Sequence, residues 1–341
     1  MDNVCHTLVG IALAKAGLER KSGLALPVLA VAANLPDVDV IAVLTGDGLA
    51  FRRGWTHGVL ALAVLPVVLV ALVALWARYS RSTRLRDQPR WSWLWVMATL
   101  GVATHLLLDW MNSYGVRLLM PFSDRWYYGD ALFIVDPWVL AILGAGVLLA
   151  GRRRNRRPAR WALLLVTLYA GASVWLTLAA RSAVARTMTS GGIAVDTMVV
   201  DPVPLDPLAR RVILARNGAY WFARARWPRW GELEPSAEPL PIAADAPWAR
   251  AAAATTAGRQ FLKWARLPFF QLGGERGTVY IADARYVRRG ERSWASILVR
   301  IDSLVHQDSV QTAEVVSNVC ASCVASGDVG LAGGDRGAGR R

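Results

Sequence analysis

Apolar residues run in long blocks through the first half of the chain and in short alternating stretches through the second. Four blocks, Gly58 to Ala77, Ser92 to Met111, Ala131 to Ala150 and Trp161 to Ala180, each hold about the 20 residues a helix needs to cross hydrocarbon. Two earlier segments are less regular. Val4 to Leu18 is short for a span. Leu24 to Leu44 is interrupted by Asn34-Leu35-Pro36-Asp37-Val38-Asp39, where the proline removes a backbone donor and unwinds the helix. With both counted as embedded, the pattern predicts an all-α polytopic membrane bundle of about five to six membrane-embedded helices over residues 1–181.

The pattern changes over residues 182–309. Arg211 to Ala215, Ala219 to Ala223 and Thr278 to Ala282 read as strands, and prolines at 202, 204, 207, 235, 239 and 241 punctuate the region. A small, mostly β extramembrane domain is the expectation. Residues 310–341 are Gly-, Ala- and Arg-rich without a period and read as a disordered tail. The start, Met1-Asp2-Asn3, lacks the basic stretch of a cleavable signal, so it is expected to stay in the mature chain.

Composition agrees with a membrane as solvent. Of 341 residues 54% are hydrophobic and 19% charged, against about 45–50% and about 25% in soluble domains. An ordinary soluble enzyme is thereby excluded. The net charge of +14 is almost wholly arginine. The arginines gather at the ends of apolar runs and no recognition motif accompanies them, so the expected partner is the lipid bilayer and not nucleic acid. The basic connections Arg78 to Arg90 and Gly151 to Arg157 belong in the cytoplasm. That places Gly46 to His57, Asn112 to Asp130 and everything after the last span, the C-terminal domain included, on the outer side of the membrane. Arg52 and Arg53 stand on the wrong side of this scheme. Cys320 and Cys323 form a lone CASC with no second pair to complete a zinc ribbon.

Ionisable side chains in membrane segments are costly and point to function. Three of the four histidines, His6, His57 and His105, lie in the membrane half. His105 and Asp109 sit at i and i+4, on one helix face that Asn112 extends, as a metal pair or as an imidazole oriented by its carboxylate. Asp37 and Asp39 follow Pro36 in an apolar stretch. They suit a divalent cation, or else the restart of a helix capped by Asn34. His57 reads as a ligand or an interfacial histidine beside Trp55; His6, with Gly10 on its helical face, would by itself be structural. In the orientation given by the arginines, His57, Asp109, Asp136, Asp37 and Asp39 converge on one membrane face. Mixed imidazole and carboxylate ligation suits zinc, manganese or iron better than calcium.

The motifs Met1-Asp2-Asn3-Val4-Cys5-His6-Thr7-Leu8-Val9-Gly10, Asn34-Leu35-Pro36-Asp37-Val38-Asp39, Arg53-Gly54-Trp55-Thr56-His57-Gly58 and His105-Leu106-Leu107-Leu108-Asp109 together resemble the membrane-bound, metal-dependent hydrolases of the YdjM/DUF457 (LexA-regulated inner-membrane protein-like) family. The resemblance covers about residues 1–150, and Tyr114-Gly115-Val116 to Asp136-Pro137 and Asp283-Ala284-Arg285-Tyr286 look like further features of the same branch. Many relatives have a histidine where this chain has Arg52. The resemblance implies hydrolase activity at a bacterial inner (plasma) membrane, whose outer side is the periplasm, with a distant likeness to zinc phospholipase C and P1-type nucleases.

The resulting expectation is a divalent metal, zinc foremost, held by His6, Asp37, Asp39, His57, His105 and Asp109. Asp39 or Asp136 would act as general base, and Arg53, Asn112 and Arg285 would hold an ester or phosphoester substrate that is lipid or lipid-linked. The alternative is a metal- or proton-coupled transporter using the same groups as a relay. A third reading is bis-histidine haem ligation by His57 and His105.

Overall fold

A computed structural model describes residues 1–45, 51–80, 90–287, 293–301 and 315–316. It divides into two compact units, Met1–Ile242 and Ala243–Arg341.

The first unit opens with helix α1 (Asn3–Lys15), whose N-terminus is capped by Asp2 through a bond from Cys5 N, and α2 (Ala25–Ala32). Pro36 then forbids regular continuation, and the chain runs on as a 3₁₀ segment, Leu35–Thr45, bent by 42° from α2. Next come α3 (Val59–Tyr79), α4 (Trp91–Met111), α5 (Pro137–Arg152) and α6 (Arg157–Ser190). At 21 residues, α3 and α4 are each about 31 Å long, enough to cross a bilayer. Val64, Val67, Leu72 and Leu75 of α3 are exposed, a face that suits lipid and not water.

The expected count of five to six membrane-embedded helices is not reached by full-length spans. Among the described residues three helices are long and apolar enough, α3, α4 and α6, or four if α2 and the bent segment after it make one span. Helix α1 has 13 residues. Helix α5 has 16 and starts at Pro137, because Asp136 caps it there and the chain before it is not helical. Helix α6, at 34 residues, runs unbroken through the boundary expected at 181 and on to Ser190.

Small residues set the helix spacing, as they do where lipid gives no hydrophobic drive between helices. A Cβ on Gly10 would lie 2.6 Å from Leu29 O, and one on Gly101 would lie 2.6 Å from Ala32 Cβ. Helices α1, α2 and α4 therefore meet almost backbone to backbone, which brings His6, Ala33 and His105 to one level. On its other side α1 packs through Cys5, Val9 and Ala12 against Val139 and Leu143 of α5 and Val166 and Ala170 of α6.

Beyond α6 an antiparallel sheet forms from β1 (Thr197–Val203), β2 (Asp206–Arg216), β3 (Ala219–Arg226) and β4 (Arg229–Pro235), with β5 (Leu240–Pro241) pairing β3. Val200, Val212, Leu214, Ala223 and Ala225 bury against Leu176, Ala180 and Val184 of α6. Arg210 clamps this contact. Its fully buried guanidinium donates to Thr177 Oγ1, to Ser173 O and Oγ, and to the carbonyls of Pro207 and Ala209. Ser173 and Thr177 in turn bond the carbonyls of Ala131 and Asp130, in the segment that leads into α5.

The second unit holds α7 (Pro247–Ala254) and α8 (Thr256–Trp264), then an antiparallel sheet of β6 (Pro268–Leu272), β7 (Thr278–Asp283), β8 (Ser296–Arg300) and β9 (Val315–Val316). The three stretches read as strands lie in β2, β3 and β7; the two short helices were not expected. Apart from β9, the tail read as disordered, with its Cys320 and Cys323, lies outside the described residues.

Candidate metal centre

The chemistry-bearing residues of the first unit converge where α1 and α3 begin and α2 and α4 end. His105 and Asp109 share a face of α4 in its last turns, and both are fully buried. The break after α2 leaves the carbonyl of Ala33 outside the helical ladder, where it meets His105 Nδ1 at 2.7 Å. A carbonyl only accepts, so the ring hydrogen is on Nδ1 and the Nε2 lone pair faces inward.

His57 comes from the loop before α3. Its Nδ1 lies 3.0 Å from Thr56 Oγ1 and 3.3 Å from Asp39 Oδ2, and its Nε2 turns toward His105. Each ring is thus held by one nitrogen and presents the other, the arrangement of metal-ligating histidines.

Four side chains meet at one point. The two Nε2 atoms are 3.1 Å apart, and Asp109 Oδ2 lies 3.3 Å from each of them. Asp37 Oδ1 is 3.7 Å from His57 Nε2 and 3.8 Å from His105 Nε2. One atom from each of the four lies within 4.8 Å of all the others. A tetrahedron with metal–ligand bonds of about 2.0–2.2 Å has edges of about 3.3–3.6 Å, close to these separations. Asp109 Oδ2 is buried without a hydrogen-bond partner, as are both ring nitrogens of His6. Orphaned polar atoms beside two inward imidazoles and two carboxylates fit a cation, and the group Asp37, His57, His105 and Asp109 could hold a metal ion. Burial alone would strip His57 of its proton, yet the carboxylates of Asp109, Asp37 and Asp39 around the ring outweigh it and push its pKa up to about 10. The site draws positive charge.

The remaining expected residues take other places. His6 stands beside the four, its ring stacked on His105 at 3.8 Å between centroids and its Nε2 3.4 Å from Asp109 Oδ1. Asp39 stands behind His57, where its Oδ2 also accepts from Arg53 N at 2.6 Å and Thr56 Oγ1 at 3.2 Å. It positions the ring from the nitrogen opposite the cluster. Asp136, expected as a base, spends Oδ1 on Trp138 N and Val139 N as the cap of α5 and Oδ2 on the Tyr169 hydroxyl.

The substrate assignments change as well. Arg53 is buried, with Nη2 3.2 Å from Asp109 Oδ1 and its guanidinium over the Tyr114 ring. Its φ of 50° is left-handed, a conformation that non-glycine residues rarely adopt; here it aims both the backbone N–H and the side chain inward. Asn112 is buried too, with Oδ1 accepting from Tyr114 N and Nδ2 3.4 Å from Asp109 Oδ1, so it orients the carboxylate. Arg285 belongs to the second unit, where it is 1% exposed, pairs with Asp283 at 2.8 Å and lies against Trp264 and Tyr286. An enclosed guanidinium of that kind holds a turn and is not presented to a substrate.

Thr56 and the Ala33 carbonyl were missed. Pro36 carried a signal for the second, since a proline that ends a helix frees carbonyls upstream. Thr56 had none beyond its place next to His57.

Fold and site together describe a polytopic membrane protein with a buried histidine–aspartate cluster that could hold a metal ion. The chain belongs to the YdjM family: residues 1–180 match the family described as YdjM inner membrane protein. The protein YfhP of Bacillus subtilis (strain 168), described as uncharacterized, is 27% identical over 149 residues, which are 41% of this chain and 43% of the relative. The chain therefore spans less than half the length of that relative. No solved structure matches.

Proposed function

We propose that the chain is a membrane-bound, metal-dependent hydrolase of an ester or phosphoester at the outer face of the inner membrane. The observation that carries the reading is the convergence of His57, His105, Asp109 and Asp37, one ligand atom of each within 4.8 Å of all the others at one buried point. Two imidazoles and two carboxylates at these separations suit zinc first, then manganese or iron. Such an ion supplies Lewis acidity and a water acidic enough to react near neutral pH. Around it, Thr56 and Asp39 hold His57, the Ala33 carbonyl holds His105, and Arg53 with Asn112 holds Asp109.

Orientation follows from charge. Arg160 Nε donates to Ala16 O, so Lys15 to Lys21 adjoin the basic turn 152–160 at the end of the bundle opposite the site. Arg53 is neutralised by Asp109 inside the protein and drops out of that count. A relay through the bilayer would need ionisable groups at successive depths, and α3 between Val59 and Ala77 has none. A haem between His57 and His105 has no room, with the nitrogens 3.1 Å apart and Asp109 beside both.

The test is hydrolysis of bis(p-nitrophenyl) phosphate by detergent-purified protein. Activity should vanish with a chelator, return with zinc or manganese, and be absent from His57→Ala. Proteoliposome uptake of the metal without hydrolysis would favour the transporter instead.

A further inference from the structure

We propose that the turn between β1 and β2, with Leu205 at its tip and Leu208 and Trp227 beside it, lies in the head-group layer of the outer leaflet. The sheet of the first unit is then bound to the bilayer surface and does not stand free of it. The occupant of this apolar surface is the lipid in which the helices themselves stand.

Depth along α6 is the first argument. The helix leaves the basic turn at Arg157, and at 1.5 Å per residue Ser173 and Thr177 stand about 24 and about 30 Å further on. That is near the far edge of a hydrocarbon layer about 30 Å thick. Trp175 and Leu178, in the same turns, are exposed, which suits lipid at that level. Arg210 of β2 is bonded to Ser173 and Thr177. Near the other end of β2, Ala215 pairs with Thr197, beyond the end of α6 at Ser190. Strand β2 thus starts at the membrane and runs outward, and the turn before it reaches back past Arg210 toward the bilayer.

The two ends of the sheet differ in kind. Away from the membrane, β2 and β3 are joined by Asn217-Gly218, both exposed, at φ of 51° and 70°. These are the residues that a tight hairpin favours. Toward the membrane, β1 and β2 are joined by Pro204-Leu205. Leu205 has a φ of 64° and is 70% exposed. A leucine there carries the strain of left-handed backbone and gains nothing from water, whereas acyl chains give its side chain a partner.

The neighbouring turn adds to this surface. Trp227 N donates to Leu208 O at 2.9 Å, and both side chains are exposed. Leucine and tryptophan on adjacent turns suit the boundary between head groups and acyl chains. Arg224 and Arg226 pair with Asp206, and Arg229 with Glu232, so a head-group layer isolates none of these charges.

The test reads depth from a nitroxide on full-length protein in phosphatidylcholine–phosphatidylglycerol liposomes. Cys320→Ser and Cys323→Ser remove competing thiols, Cys5 being buried, and the label is attached through Leu205→Cys or, at the far end of the sheet, Asn217→Cys. The accessibility of the label to oxygen, divided by that to a water-soluble nickel chelate, should be at least tenfold higher at 205 than at 217. Equal ratios put the turn in water and overturn the proposal. A label at 205 shielded from both reagents means that protein covers the turn, and overturns it as well. A second measurement needs no substitution: a phospholipid with a photoreactive group at head-group depth should label the peptide holding Leu205 in the wild-type protein and spare the one holding Asn217. Labelling of neither, or of Asn217 alone, contradicts the proposal.

Discussion

His57 and His105 point Nε2 at Nε2 across 3.1 Å, while the far nitrogen of each ring is held, one by Thr56 and Asp39, the other by the Ala33 carbonyl. Two lone pairs so placed repel unless a proton or a metal ion stands between them. Asp109 Oδ2, 3.3 Å from both rings, adds negative charge at the same point. The local chemistry favours a cation.

If Asp39 acts by holding His57, then Asp39→Asn should leave the cluster in place and lower metal affinity about 10–100-fold, the usual effect of removing such a partner. Competition with a chromogenic chelator measures it. Unchanged affinity would mean that Asp39 does not orient the ring.

Close helix contact is equally testable. A Cβ at position 101 would press on Ala32 Cβ and lie 3.1 Å from Ala33 N, next to the carbonyl that holds His105. Gly101→Ala is expected to cost about 1–3 kcal/mol through overpacking and to reduce bound metal. Adding Ala32→Gly should restore much of both, read from thermal melting in detergent and from metal content. Without that rescue, the tight crossing of α2 and α4 is not what sets the site.

Much of this was legible in the residues, for identifiable reasons. Long apolar blocks announced α3, α4 and α6, because a bilayer leaves a span few other compositions. The i, i+4 spacing of His105 and Asp109 put both on one face, and Pro36 marked the break that presents Asp37. Spacing gave no way to rank the carboxylates. Asp39 and Asp136 looked like Asp37 in sequence, and only three dimensions show one behind a ring and another capping α5. The arginines were misread for a related reason. Arg53 and Arg285 each fold back onto an aspartate inside the protein, which no spacing in the chain announces.

In the second unit, Asp283 accepts from Arg266 N at 2.7 Å and from Arg285, entirely out of water. Burial would raise its pKa, but the charge and hydrogen bonds of Arg285, with the backbone bond from Arg266, outweigh that and hold it below the ordinary value. A depressed carboxylate contributes stability that is complete above its unfolded pKa of about 3.9 and is lost as pH falls through the folded value. Hydrogen-exchange protection of β6 and β7 should therefore hold at neutral pH and fail in acid. Asp283→Asn should lower it at neutral pH as well, by about 3–5 kcal/mol for a broken buried pair. Protection that is insensitive to both changes would show the pair to be dispensable.

Elemental analysis of detergent-purified protein is the most direct test of all. About one divalent ion per chain should co-purify, with His105→Ala losing it while still folding. Folded wild-type protein that neither carries nor takes up a divalent ion would contradict the metal centre.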